Sequence, residues 1–290
     1  RVIFPTIKMP SNTPKNRLAA GLGALLKGHF TPRGLACYFL AGYALIAGLC
    51  LTAYGFYQGH YYAGRHPDAT PYSVFTSTFS FLGSFDHKKN PEGWVFFSLA
   101  LWIMALFMLP LTRYINRRMT VISPGGAKTG IRLLLLGAAA LALVGVFPDS
   151  GQDFVADLHY GKIHNLLALL AFAGLSFGSL WFGLMLARFN PFHPGHRPPH
   201  HDDAQAAFHH PALHLPFLML GGVLVTAICF LIRWECIYRR LGQPHWPGVG
   251  LYSFPLWEWL YILTLFLALA WFSLALPNRI PAPPPPSHSP

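Results

Sequence analysis

Carboxylates and histidines gather in one short stretch of the chain, directly after an apolar block. The stretch contains Asp149, Asp153, Asp157, His159 and His164. Both side-chain types bind zinc, and a zinc site with three protein ligands keeps a position for an activated water molecule. Asp149, Asp157, His159 and His164 are therefore candidate metal ligands, with zinc as the cofactor that they could hold. A solvated acidic rim is the alternative interpretation.

Two ionisable residues near the ends of apolar blocks extend this set. His164 lies one turn inside a block, where an ionisable side chain is costly unless it has a partner. Glu258 stands between Trp257 and Trp259 at the start of the last block. An acid suits a helix N-terminus, and tryptophans suit the membrane interface. Alternatively, Glu258 faces inward and meets His164, Asp149 or Arg233 in one polar cluster.

Hydroxyl side chains crowd the segment YSVFTSTFSFLGS at 72–84, which is apolar but too short to span a bilayer. A packed loop whose hydroxyls cap backbone groups is the simpler interpretation. The functional interpretation is a pocket wall that hydrogen-bonds a lipid headgroup, with Ser80 as the candidate residue. The predicted outer polar pocket therefore consists of Ser80, Asp149, Asp157, His159, His164 and Glu258.

A histidine-rich tract occupies 193–214 and contains seven histidines and two aspartates. Such a tract can bind zinc, copper or nickel. Its irregular spacing and its prolines favour a loop that binds metal loosely. The sequence contains no P-loop, no G-x-S-x-G and no dinucleotide fingerprint, so it indicates no soluble catalytic domain.

Six apolar blocks must position these side chains. Of the 290 residues, 53% are hydrophobic and 11% are charged, whereas soluble globular chains are about 25% charged. A helix needs about 20 apolar residues to cross a bilayer. The qualifying blocks lie near 35–57, 94–112, 131–148, 163–187, 213–234 and 255–276. The sequence therefore predicts an all-α polytopic membrane protein, a six-transmembrane-helix bundle.

The distribution of basic residues predicts the orientation of the bundle. With the N-terminus inside, the inner segments hold 14 of the 21 basic residues and the outer segments hold 7. Cytoplasmic loops carry an excess of Lys and Arg, so both termini are predicted to be cytoplasmic. The net charge of +11 follows from these loops and does not indicate nucleic-acid binding, because no basic stripe with stacking aromatics is present.

The chain divides into three predicted parts. Residues 1–33 form a basic N-terminal segment, within which 15–30 predict an amphipathic helix on the inner membrane surface. Residues 34–277 form the six-helix transmembrane domain. Residues 278–290 form a Pro-rich tail that is extended or disordered, because it has no apolar face.

The order of several motifs resembles the DRAM-like superfamily of six-span membrane proteins and its uncharacterised bacterial relatives. The segment TFSFLG at 78–83 is similar to that family's outer I-S-x-L-G segment, and NPEGWVFF follows at 90–97. GVFPD at 145–149 is similar to the turn after the third span. A histidine then opens span four, here His159 or His164, and a Glu-Trp pair opens the last span at 258–259.

The resemblance covers roughly 35–276. It implies a six-helix bundle with a polar outer pocket. It also implies a connection with lipid handling and membrane organisation, without a settled reaction.

These observations favour a non-enzymatic integral membrane protein that binds a lipid or serves as an accessory subunit of a larger membrane complex. Its expected partners are membrane lipids and other integral membrane subunits, and its expected location is the bacterial inner membrane. The alternative is a metal-dependent intramembrane lipid hydrolase, in which the Asp/His set holds zinc-activated water and Ser80 contributes hydrogen bonds. Transport ranks last, because spans one, two and six carry almost no polar residues near mid-bilayer.

Overall fold

The computed structural model describes residues 21–58, 71–87, 89–150, 152–155, 158–188, 208, 211–233, 236 and 250–276. Within this part of the chain, six helices are long and apolar enough to cross a membrane. They are α1 Pro32–Gly55, α2 Trp94–Met119, α3 Pro124–Val144, α4 Tyr160–Arg188, α5 Leu215–Arg233 and α6 Phe254–Ala275. The predicted all-α membrane bundle is confirmed, and the chain has the architecture of an integral membrane protein.

Helix boundaries differ from the apolar blocks because hydropathy marks apolar stretches and capping residues mark helix ends. Helix α2 continues past the predicted end at 112 to Met119, with Arg117 and Arg118 in its last turn, where cations suit the helix dipole. Helix α3 begins earlier than predicted, because the Oγ of Ser123 accepts a hydrogen bond from Gly126 N and Pro124 opens the first turn.

Neighbouring helices run antiparallel and pack mainly against their sequence neighbours. Helices α3 and α4 make the most extensive contact, followed by α2 with α3, α5 with α6, and α1 with α2. Helix α6 also touches α1 and α4, which closes the bundle. Successive helices therefore lie side by side. Helix α2 is the most buried: 61% of its apolar stretch is buried, compared with 17% for α1 and 22% for α5.

Glycines allow α3 and α4 to approach closely. A Cβ atom built on Gly174 would lie 2.6 Å from the Cα and N atoms of Gly137. One turn further along α4, a Cβ on Gly178 would lie 2.8 Å from the backbone N of Leu134. Small residues at such positions let membrane helices pack backbone against backbone, which fixes the relative placement of α3 and α4.

Short elements connect the helices at the end of the bundle that carries the predicted outer pocket. A 3₁₀ helix, Phe79–Gly83, lies between α1 and α2. Strands β1 (Asp153–Val155) and β2 (Leu158–His159) pair antiparallel between α3 and α4, with Asp153 opposite His159. They are the β-structure among the described residues.

The other predicted segments are described in part. Residues 21–26 of the proposed interfacial helix are helical. Residues 1–20, most of the histidine-rich tract and the Pro-rich tail lie outside the described residues. The two described ends of the chain, near 21 and 276, lie at the same end of the bundle. Which side of the membrane that end faces stays a prediction.

Candidate functional site

Three of the predicted pocket residues line one small cavity at the end of the bundle that is predicted to face outward. Ser80, His164 and Glu258 surround a space of about 40 Å³ together with apolar side chains from α2, α3, α4 and α6. This volume exceeds the roughly 15 Å³ that one water molecule requires, but the lining is almost entirely apolar, with Ser80, His164 and Glu258 as its polar side chains. We call this space the outer cavity.

Glu258 joins α6 to the segment between α1 and α2. Its side chain is 8% exposed, and its Oε2 accepts a hydrogen bond from the backbone N of Phe79 at 3.1 Å. Ser253, at the N-cap of α6, donates its hydroxyl to the carbonyl of Phe75. Glu258 therefore faces inward and completes the hydrogen bonding of a buried loop, instead of standing in water at the first turn of a helix.

His164 is held by the turn that follows α3. Its side chain is 1% exposed, and its Nδ1 lies 2.8 Å from the carbonyl oxygen of Phe147. A carbonyl only accepts, so this contact places a proton on Nδ1. Nε2 is then the ring nitrogen left to interact with other groups. The Phe147 carbonyl thus supplies the partner that an ionisable side chain inside an apolar block requires, and a role for His164 as a metal ligand stays a prediction.

Ser80 makes a local contact. Its Oγ lies 3.0 Å from Oγ1 of Thr78, two residues earlier. Ser80 is partly buried and lines the outer cavity. Hydroxyls in this segment accept hydrogen bonds from backbone groups, as Ser77 does from Ser73 N, and Ser80 lines the cavity. Hydrogen bonding of Ser80 to a lipid headgroup stays a prediction.

The remaining predicted ligands are placed differently. Asp149 is partly buried after α3 and His159 lies in β2, and neither lines the outer cavity. The position of Asp157 and the side chain of Asp153 lie outside the described residues. Among the side chains that are described, no three His, Cys, Asp or Glu residues come together as a metal-binding group. Zinc binding by the four-residue set stays a prediction.

Asp149 has an electrostatic neighbour that the sequence did not indicate. Burial, followed by the negative charge of Asp149, raises the pKa of Tyr57 to about 12. Burial also raises the pKa of Tyr72. Both phenols therefore keep their protons across ordinary pH, and Tyr72 donates its hydroxyl to the carbonyl of Thr78 at 3.1 Å.

Asn90 and Asp86 anchor the loop around the outer cavity. Asn90 is fully buried, and its Nδ2 donates to the carbonyls of Ala53 at 2.9 Å and Leu82 at 2.7 Å. Ser150 donates its hydroxyl to Oδ1 of Asp86 at 2.5 Å. Sequence reasoning missed these residues. The Asn-Pro pair at 90–91 signals a turn, but it does not show that the amide is buried between two elements.

A larger apolar space opens beside the outer cavity, between α1 and α6. It has a volume of about 420 Å³, and we call it the lateral crevice. Its walls include Ile46 and Ala47 of α1, with Leu263 and Leu267 of α6. Phe79, Met104, Ile262 and Phe266 line both spaces and so form the partition between them.

Polar groups stand at the outer end of the crevice. Trp259, which lines the crevice, donates its indole N–H to the Tyr72 hydroxyl at 3.1 Å. The ring of Phe79 packs edge-on against Trp259, with centroids 4.7 Å apart. Aromatic side chains with one polar atom are typical of the level at which headgroups meet hydrocarbon. The lining of the crevice is thus almost entirely apolar, and the Trp259–Tyr72 hydrogen bond lies near one end of it.

Comparison with known families finds one that is uncharacterised. Residues 65–199 match a family described as "Protein of unknown function (DUF998)". This stretch covers less than half of the chain and runs from the loop after α1 beyond the end of α4. A comparison with curated proteins found no match, and neither did a comparison with solved structures. The resemblance to the DRAM-like superfamily is not confirmed by these comparisons.

Proposed function

We propose that this integral membrane protein binds a membrane lipid without transforming it, with one acyl chain in the lateral crevice and the polar headgroup region near Tyr72 and Trp259. The observation that carries the proposal is the crevice itself. It is about 420 Å³ in volume, and its walls are apolar and aromatic side chains of α1, α2, α6 and the loop between α1 and α2.

The size and position of the crevice favour a hydrocarbon occupant. Small-molecule sites are typically about 300–1,000 Å³, and a dry apolar cavity of about 150 Å³ already binds benzene. Helices α1 and α6, on the two sides of the crevice, contact each other at few positions. A lateral opening between two membrane helices faces lipid tails, and a tail that enters it loses no hydrogen bonds.

Hydrogen bonding within the crevice leaves little polar capacity for a soluble ligand. The hydroxyl of Tyr43 donates to the carbonyl of Phe266 at 2.5 Å. Tyr72 and Trp259 bond to each other at the outer end. The interior of the crevice therefore selects its occupant by shape and apolar surface. The Tyr72–Trp259 pair at one end sets the direction in which a lipid lies.

The proposal is tested by filling the crevice. Ala47 lines it, so Ala47→Trp places an indole in the space. Ala44 is exposed on the same helix, one turn away and outside the lining, so Ala44→Trp is the matched control. We expect native mass spectrometry in mild detergent to show a retained lipid in the wild type and the control, and its loss in Ala47→Trp.

Two results would contradict the proposal. The first is that Ala47→Trp keeps the same bound lipid as the wild type. The second is that both tryptophan variants lose the lipid although size-exclusion chromatography shows folded protein. A retained lipid whose headgroup and acyl chains are intact after incubation supports binding without reaction, whereas cleaved products argue against it.

The second candidate is the metal-dependent lipid hydrolase. It draws on the outer cavity, where Ser80, His164 and Glu258 come together behind the partition of the crevice. Metal analysis of the purified wild type and of His164→Ala tests it. Stoichiometric zinc that disappears in the variant supports the hydrolase, and a variant with unchanged metal content and folding excludes it.

The accessory-subunit part of the prediction draws on α1 and α5. Most of their apolar surface is unburied within the chain, with Leu40 and Leu218 each 72% exposed. Lipid tails or helices of another subunit could cover these faces. Subunits that copurify with the wild type in mild detergent would favour coverage of these faces by helices of another subunit. The bacterial inner membrane remains the location that we propose.

A further inference from the structure

Only a thin partition separates the outer cavity from the lateral crevice at the end near Trp259. Phe79 and Ser80 are consecutive in the chain; Phe79 lines both spaces, and Ser80 lines the outer cavity. Glu258 and Trp259 are also consecutive; Glu258 lines the outer cavity, and Trp259 lines the crevice. A group at this end of the crevice therefore lies about one side chain away from the outer cavity.

Two polar side chains in the wall of the outer cavity are each held through one atom. His164 is 1% exposed, and its Nδ1 is held by the carbonyl of Phe147. Glu258 is 8% exposed, and its Oε2 is held by the backbone N of Phe79. Within the described part of the chain, neither Nε2 of His164 nor Oε1 of Glu258 has a hydrogen-bond partner. A group bound in the cavity would supply the partner that buried polar atoms require.

The hydrogen-bonding capacity of these two atoms indicates which chemical group fits. Because Nδ1 of His164 carries the ring proton, Nε2 is an acceptor. The carboxyl of Glu258 accepts when it is ionised and also donates when it is protonated. A hydroxyl group both donates and accepts, so it suits either state of Glu258, whereas an ammonium group only donates. Phosphate oxygens accept, so they match the acceptor Nε2 poorly.

The volume of the outer cavity limits the size of this group. At about 40 Å³, the cavity has room for about two or three water-sized groups, since one water molecule requires roughly 15 Å³. A hydroxymethyl group fits this space, and a whole phosphate group exceeds it. The cavity therefore suits the tip of a headgroup and not its phosphate.

We propose that the bound lipid carries a hydroxyl in its headgroup and that this hydroxyl enters the outer cavity. There it donates to Nε2 of His164 and pairs with Oε1 of Glu258, and the hydroxyl of Ser80 is a further partner on the cavity wall. The proposal rests on the proposed function, because the acyl chain of the same lipid occupies the lateral crevice. It specifies the class of lipid as one whose headgroup ends in an alcohol, such as phosphatidylglycerol.

Water is the competitor for the same hydrogen bonds. A ligand group that reproduces the hydrogen bonds of an ordered water molecule can displace it without losing affinity, whereas an apolar group cannot. A lipid without a headgroup hydroxyl would therefore either leave water in the outer cavity or bury Nε2 of His164 unpaired. Comparison of two lipids that differ only in their hydroxyls separates these cases.

The test uses the full chain in mild detergent and a competition between dioleoyl phosphatidylglycerol and dioleoyl phosphatidylpropanol. The second lipid has the same charge and the same carbon skeleton in its headgroup but no hydroxyl there. Native mass spectrometry measures the ratio in which the two lipids are bound. The variants are His164→Asn and Ser80→Ala, with His87→Asn as the matched control.

Each variant changes one feature of the cavity wall. His164→Asn removes Nε2 and keeps a side-chain N–H near the position of Nδ1 for the carbonyl of Phe147. Ser80→Ala removes a hydroxyl from the wall. His87 is exposed in the same loop as Ser80 and lines neither space. Thermal unfolding identifies any variant that does not fold, and if His164→Asn fails, Ser80→Ala and the wild type carry the comparison.

We expect the wild type and His87→Asn to bind phosphatidylglycerol about tenfold more tightly than phosphatidylpropanol, which is the scale of a hydrogen bond to a buried group. His164→Asn should bring the two lipids close to equal binding. Ser80→Ala should give a preference between that of His164→Asn and that of the wild type.

Three outcomes overturn the proposal. The first is equal binding of the two lipids by the wild type, which would leave the outer cavity to water alone. The second is a loss of preference in His87→Asn as large as in His164→Asn. The third is displacement of phosphatidylglycerol from the wild type by an equal amount of dioleoyl phosphatidylethanolamine, which would assign the cavity to an ammonium group.

The variant Ala47→Trp distinguishes this failure from failure of the proposed function. If Ala47→Trp releases both lipids while the wild type binds them equally, the lateral crevice stands and the role of the outer cavity is wrong. If Ala47→Trp retains both lipids, the lateral crevice does not hold the acyl chain, and the proposed function is wrong.

Discussion

The glycine contact between α3 and α4 is the most direct place to test the packing of the bundle. We consider Gly174→Ala. The new Cβ would lie 2.6 Å from two backbone atoms of Gly137 and 2.9 Å from the carbonyl oxygen of Leu133, whereas ordinary contact begins at 3.4 Å. The backbones must therefore move apart by about 0.8 Å, because no flexible side chain is available to give way.

The size of the effect follows from a comparison with Gly222→Ala in α5. Gly222 has nothing within 4 Å of its added Cβ. Both substitutions gain the same helix propensity, about 1 kcal/mol. Overpacking in a tight interface costs about 1–3 kcal/mol, so the difference in unfolding free energy between the two variants should be of that order.

Thermal unfolding in mild detergent, followed by far-UV circular dichroism, measures this difference. At about 2–4 °C per kcal/mol, Gly174→Ala should melt roughly 2–12 °C below Gly222→Ala. The Gly174→Ala variant should also disturb the outer cavity, because His164 of α4 is held by the carbonyl that follows α3. Equal melting temperatures for the two variants would refute the close approach of α3 and α4.

Three further predictions concern the residues around the outer cavity. Asn90→Ala leaves two buried carbonyls without their donor and should lower the unfolding free energy by about 1–3 kcal/mol. Thermal unfolding measures this loss. A smaller loss than that of an exposed Asn→Ala control would contradict the prediction. Glu258→Leu should destabilise the protein more than Glu258→Gln in the same assay, because a glutamine oxygen can still accept a hydrogen bond from the Phe79 N–H. The reverse order of stability would show that this hydrogen bond is unimportant. Tyr57 has its pKa raised from 10.0 to about 12, so the stabilisation it provides is complete below pH 10 and lost as the pH rises towards 12. Unfolding measured against pH should show less alkaline loss in Tyr57→Phe than in the wild type, and identical curves would contradict the assigned burial.

The number and type of the helices could be predicted from the sequence because hydropathy is a local property. A run such as 213–234 contains enough apolar residues to span a bilayer whatever surrounds it, and its helix follows since no water is present to satisfy free backbone groups. The expectation that His164 needs a partner rests on the same logic, because its neighbours in the chain are apolar. Charge asymmetry is local too, and the Lys and Arg residues of the loops that are predicted to face inward can be counted directly.

Helix ends were predicted less well than helix existence. The block near 131–148 belongs to a helix that begins at Pro124 and ends at Val144. Serine capping sets the start of that helix, and a turn ending in the Phe-Pro pair follows it. Hydropathy registers neither effect, because it averages apolar character over a window, and Lys128 and Arg132 lower that average across the first turns of the helix.

What the sequence alone determined is therefore the membrane class, the six helices, the charge asymmetry and a set of polar candidates near one end. The tertiary structure decided which candidates meet. It brought Ser80, His164 and Glu258 to one cavity and left Asp149 and His159 off its walls. It also created the lateral crevice from α1 and α6, which are far apart in the chain. The physical reason is that the rotation and spacing of each helix depend on close contacts such as Gly137 with Gly174, and these contacts belong to pairs of helices and not to any one stretch of sequence.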